Sequence, residues 1–206
     1  QDAKLQLVQT LVERAEAGVS GAAASMADLQ RALAVSQEDQ TATVEAQAIR
    51  LNLLDGVLRA SLRAGDFQQA TVVSSELLSA RQAAQDWDGY ARVLVLRGDI
   101  NQQQSQNSAA VENYQQAISL SRLMEQGQTD ERLGLLASAY YGAGSVELKL
   151  DHFDKAQEPI RRALDLYTHL FQQRGQKTVL PGMLKAYSAF ADIGLARGQV
   201  QEAIAS

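Results

Sequence analysis

One segment of this chain comes back four times: as GDFQQATVVSSELL at residues 65–78, QNSAAVENYQQAI at 106–118, DHFDKAQEPIRRAL at 151–164 and GQVQEAI at 198–204. The shared alanines Ala70, Ala110, Ala156 and Ala203 set the copies 40, 46 and 47 residues apart. A second amphipathic stripe precedes each alanine. In two of these stripes a glycine stands among apolar residues, Gly98 in ARVLVLRGDINQ and Gly144 in ASAYYGAGSVELKL, where the other two have Leu58 and Ala191. Glycine inside a helix costs about 1 kcal/mol against alanine, so its recurrence predicts a close helix crossing. Each copy then reads as helix, short turn, helix, with turns expected at Gly65-Asp66, Asn107-Ser108, Asp151 and Gly198. Such a unit cannot bury its apolar face alone, so copies must stack.

Composition agrees with an all-helical chain. Of 206 residues 46% are hydrophobic but only 5% aromatic, and two are prolines. Alanine, leucine, glutamine and glutamate enter helices easily, whereas strands favour the β-branched and aromatic types that are sparse here. The formal net charge of −5, with basic residues dispersed, argues against direct binding of nucleic acid. No apolar run reaches the roughly 18–20 residues needed to insert across a bilayer. There is no cysteine, which excludes disulfides and thiolate metal sites and leaves the compartment open between cytoplasm and export. The chain begins with Gln1 and ends in QEAIAS, the opening of a helix, and so reads as a piece of something longer.

Pro159 interrupts the stripe Phe153, Ala156, Ile160, Ala163, Leu164. A proline removes one backbone donor and clashes with the carbonyl four residues back, here that of Lys155. Near a helix start that donor lacks a partner anyway, so a kink in the first turns is expected, not a break. Residues 1–45 hold two weaker stripes, Leu5-Val8-Val12-Ala15 and Met26-Leu29-Leu33, expected to form a degenerate helix pair or N-terminal cap. Longer connections are expected around Gln85 to Gly89 and Gln126 to Asp130.

The small residue in mid first helix (Gly98, Gly144, Ala191), the apolar residue after the turn (Phe67, Phe153, Val200), the alanine three residues on and the pairs Ala117-Ile118 and Ala163-Leu164 together resemble the tetratricopeptide repeat family. The repeats exceed the usual 34 residues and are closer to the long variant of kinesin light chains, whose second helices resemble AQEPIRRAL. The resemblance covers residues 46–206 as four helix pairs, the last truncated. In the first, Leu58 and Leu77 replace the expected small residues, which predicts looser or shifted packing. The resemblance implies a right-handed superhelical solenoid of antiparallel helix pairs, whose first helices line a concave surface that docks a protein or peptide. On it would lie Asp55, Arg59 and Arg63, then Asp99 and Gln103, then Tyr141, Ser145 and Lys149, then Lys185, Ser188 and Asp192. Tyr141 is the best single candidate, because an exposed aromatic on such a surface anchors interfaces. The asparagines with which some members clamp a terminal carboxylate are missing, which disfavours a chaperone-tail adaptor. A second function is also implied: the sensory or regulatory arm of a bacterial-type signalling or transcription protein.

Enzymatic chemistry finds no foothold. Neither His152 nor His169 has a carboxylate or second histidine at i+3 or i+4 as a metal needs, so both read as solvent-facing, and no cofactor motif is present. Gly142-Ala143-Gly144-Ser145 lacks the lysine and the preceding strand of a phosphate loop, and reads as helix-crossing glycines. In Asp86-Trp87-Asp88 the tryptophan is expected to anchor a joint between units and the aspartates to cap a helix start. Partner identity and oligomeric state are left open by the sequence.

Overall fold

A computed structural model describes residues 7, 10–11, 27–28, 30–32, 34, 44–123, 129–196 and 198. The expected N-terminal pair and the last helix of the fourth unit fall for the most part outside the described residues. Seven α-helices are described: α1 (Val44–Ala64), α2 (Phe67–Ala83), α3 (Trp87–Gln103), α4 (Asn107–Leu123), α5 (Asp130–Lys149), α6 (Phe153–Arg174) and α7 (Leu180–Ala196), the last preceded by a 3-10 turn at Lys177–Val179. The chain divides into two compact units, one ending at Asp86 and one beginning at Trp87.

The turns explain the periodicity. After α1, α2, α3 and α5 the chain stops its helix in the same way, with one residue in the left-handed region: Gly65 (φ 71°), Gln85 (φ 55°), Ser105 (φ 60°) and Asp151 (φ 57°). Each time the next amide reaches back five residues, from Asp66 to the Ser61 carbonyl (2.9 Å), Asp86 to Arg81 (2.9 Å), Gln106 to Asn101 (2.8 Å) and His152 to Glu147 (2.9 Å). This is the Schellman arrangement, which satisfies carbonyls that a helix end leaves open. Two expectations are corrected by it. The turn near residue 107 is Gln104–Gln106, and Asn107 already opens α4; the connection expected at 85–89 is only Ala84–Asp86, because α2 runs on through an alanine-rich end and α3 starts at Trp87. The longer spacing of the later copies lies largely in extra helical turns, since α5 and α6 have 20 and 22 residues against 17 in α2, α3 and α4.

In the first unit, α1 and α2 pack on each other through Leu53, Leu54, Val57, Leu58, Ala70, Val73 and Leu77, all nearly inaccessible. Leu58 and Leu77 are wholly buried, so leucine fills the places where small residues were expected. Arg50 of α1 meets Glu76 of α2 at 2.7 Å. Asp66 caps α2 by accepting from the Gln69 amide at 3.0 Å.

In the second unit, α3 pairs with α4 and α5 with α6, while α4 also packs on α5 and α6 on α7. The first helices also touch one another, α3 against α5 and α5 against α7, whereas α4 and α6 barely meet. A row of helix pairs that touch on one side and part on the other is concave on the touching side. The repeat alanines Ala70, Ala110 and Ala156 are fully buried. Helix α6 continues through Pro159 from Phe153 to Arg174. Arg132 of α5 grips Asp88 of α3 with two bonds of 2.7 Å, and Asp130 of α5 accepts from Gln176 beyond α6 at 2.9 Å. Both aspartates flanking Trp87 bind arginines, Asp86 binding Arg81 and Asp88 binding Arg132. Trp87 itself opens α3 and lies edge-on to Tyr90, 41% exposed.

Candidate binding face

The two glycines of the sequence pattern have a common object. Tyr114 projects from α4, fully buried, and its ring passes between α3 and α5. A Cβ at Gly98 or at Gly142 would fall well inside van der Waals contact with that ring, so both helices need a glycine there. Gly144 plays the same part for Ile160, whose Cδ1 would lie 2.7 Å from an added Cβ, and Gly182 for the ring of Tyr167. The glycines at 142 and 144 are thus crossing points, as their sequence context suggests.

Passing between the helices, Tyr114 brings its hydroxyl to the far side, where it donates to Asp99 Oδ1 at 2.6 Å. Asp99 is open to solvent, yet protein crowds its carboxylate from the sides, the situation of a group on the floor of a concavity. Lost hydration raises its pKa above the ordinary carboxylate value, opposed by the Tyr114 hydrogen bond and by the charge of Lys185 on α7. The half-buried phenol of Tyr141 on α5 is pushed up by burial and then by the Asp99 charge. Tyr167, whose hydroxyl lies 3.2 Å from Ser138 Oγ, is likewise raised, mainly by burial, with small additions from Tyr141 and Asp99. Tyr114 is raised by burial and by the neighbouring carboxylate. Beside this group, Gln102 of α3 donates to Ser145 Oγ of α5 at 3.0 Å, and Ser145 in turn donates to the Gly142 carbonyl at 2.9 Å.

Four expected residues therefore come together: Asp99 of α3, Tyr141 and Ser145 of α5, and Lys185 of α7. Gln103, Lys149, Ser188 and Asp192 are exposed on the same helices and make no hydrogen bond or ion pair among the described residues. In the first unit Arg59 and Arg63 are exposed, while Asp55 is half-buried and held by Arg81, which also binds Asp86. Sequence reasoning missed Tyr114 and Gln102. The signal for Tyr114 was its place four residues after a repeat alanine, where Ser74 and Ile160 stand in the neighbouring copies. His152 faces Glu147 at 2.8 Å at the turn before α6, and His169 is half-buried on α6. Among the described residues no three of His, Cys, Asp or Glu gather as metal ligands would, and no helix is long and apolar enough to cross a membrane.

A family model, the tetratricopeptide repeat, matches residues 91–122. No curated protein matches the sequence. Among solved structures, BtubC from P. vanneervenii is similar with a TM-score of 0.71 and 15% identity, over 99% of this chain and 85% of that one. A kinesin light chain protein of Podosopora anserina with nearly identical TPR-like repeats gives a TM-score of 0.65 at 15% identity, covering 96% of this chain and 88% of the other. Aspartyl phosphate phosphatase F from Bacillus subtilis gives 0.66 at 16% identity, over 98% of this chain and 58% of that chain. At such identities the likeness concerns the fold. The chain has the all-α fold of stacked helix pairs seen in those structures, and residues 91–122 match the tetratricopeptide repeat model.

Proposed function

We propose that the face formed by α3, α5 and α7 docks an extended segment of a partner protein, and that the chain serves as an interaction module and not as an enzyme. The observation that carries this reading is the gathering of Asp99, Tyr141, Ser145 and Lys185 on the side where the first helices touch. An aromatic flanked by a carboxylate, a hydroxyl and an ammonium can pack against a peptide while satisfying its polar groups. The test compares partners captured by the wild-type chain, by Tyr141→Ala, and by Lys155→Ala, a control at an exposed position of α6. The reading expects proteins retained by the control and lost by Tyr141→Ala; identical sets from all three would refute it.

A regulatory role is the second reading. It is favoured by the fold shared with aspartyl phosphate phosphatase F. It expects a parent protein whose output changes when Tyr141 is replaced.

A further inference from the structure

Asp99 and Lys185 are opposite charges on the docking face, and neither is used up in the fold. Asp99 accepts from the Tyr114 hydroxyl, a neutral donor, and no cation lies within ion-pair distance of it among the described residues. Lys185 is exposed and unpaired among those residues, though its charge is felt at Asp99. Contrast Asp55 and Asp88, each of which is held by an arginine of its own unit. The Tyr114 ring is wedged between Gly98 and Gly142, so its hydroxyl cannot drift and the carboxylate it holds is fixed in place. One oxygen of Asp99 is thereby occupied, and the other is left for a ligand. Tyr141 stands beside it and offers a ring on which an ammonium or guanidinium can lie.

We propose that this part of the face recognises a basic side chain of the docked segment, lysine or arginine, held by the free oxygen of Asp99 and the ring of Tyr141, with an acidic side chain of the same segment answering Lys185. In an extended strand alternate residues point the same way, so the two charges belong an even number of residues apart. The pairing of opposite charges at fixed spacing then sets which stretch of a partner binds and in which direction it runs. The inference rests on the docking reading above and adds the chemistry of the bound segment.

The experiment uses a phage-displayed library of fully randomised dodecapeptides, selected on the wild-type chain, Asp99→Asn, Lys185→Glu and the control Lys155→Glu. Asparagine keeps an oxygen for the Tyr114 hydroxyl, so Asp99→Asn leaves the wedge intact, which an unchanged helical spectrum checks. The expected result is enrichment of Lys or Arg with Asp or Glu an even number of positions away on the wild type and the control. Asp99→Asn should lower the basic enrichment about tenfold, in line with removing one partner of a partly desolvated charge pair. Lys185→Glu should remove the acidic preference and leave the basic one. Enriched peptides without a basic position, or a basic preference that Asp99→Asn leaves unchanged, overturn the inference while the docking reading survives. No enrichment on the wild-type chain overturns both.

Discussion

The pairs α1/α2 and α3/α4 solve one packing problem from opposite sides. Leu58 and Gly98 stand forty residues apart at the same place in their first helices, and Ser74 and Tyr114 stand forty apart in their second helices. All four are buried. In the earlier pair the large side chain comes from the first helix and the small one from the second; in the later pair this is reversed. Volume is conserved, as close-packed interiors demand. The consequences differ. Leu58 ends in the core, whereas Tyr114 passes through it and delivers a hydroxyl to Asp99. A swap neutral for packing therefore decides which pair carries a fixed polar group to its first-helix face.

The largest expected effect comes from removing the wedge. Tyr114→Ala should destabilise the second unit by about 3–5 kcal/mol, the range for deleting a buried aromatic, read by urea unfolding. Copying the earlier pair with Tyr114→Ser and Gly98→Leu should recover part of the loss found for Tyr114→Ser alone, and only part, because the space beside Gly142 stays empty. A double variant no more stable than the single one would break the equivalence of the two pairs.

Next comes the glycine on the neighbouring helix. Gly142→Ala should lose about 1–3 kcal/mol by overpacking against the ring. In the Tyr114→Ala background its sign should reverse to a gain of up to about 1 kcal/mol, because only the helix preference for alanine remains. Additive effects in that cycle would show that Gly142 has another reason to be glycine.

The two aspartates should then part company. Asp55→Asn deprives the half-buried Arg81 of one of its two carboxylates and should cost about 1 kcal/mol. Asp99→Asn should stabilise at neutral pH. A carboxyl whose folded-state pKa lies above its unfolded value holds its proton more tightly when folded, so its ionisation subtracts stability above the folded pKa, and that penalty vanishes below the unfolded one. The gain in Tm should therefore be present at about pH 7 and absent at about pH 3. A loss at neutral pH would mean that Asp99 serves the fold and not a ligand.

The smallest effect concerns the turns. Gly65 already occupies its left-handed position, but Ser105 at φ 60° does not have glycine's freedom. Ser105→Gly should stabilise by up to about 1 kcal/mol, and Gly65→Ser should cost a similar amount, both read by thermal unfolding.

Much of the architecture was legible beforehand because it is written locally. The stripes, the repeat alanines and the crossing glycines all follow from helical period and from what a missing Cβ permits, and Ala110, Ala156, Gly98 and Gly144 sit where that logic puts them. Turn boundaries were less legible. Gln85 and Ser105 adopt a backbone that favours glycine without being glycine, so the Asn107-Ser108 pair, a common turn signal, drew the boundary two residues too late.

For the face, the sequence by itself determined that α3, α5 and α7 would each carry a polar stripe, because residues four apart share one side of a helix. It could not show that Asp55 would be taken by Arg81, twenty-six residues away, while Asp99 would be steadied by Tyr114 with no ion pair among the described residues. Those outcomes depend on which side chains from separate helices meet. Helical period is fixed within a few residues of chain, but hydration and ion pairing are fixed by whatever the packing brings within a few ångströms, and only the folded arrangement of helices decides that.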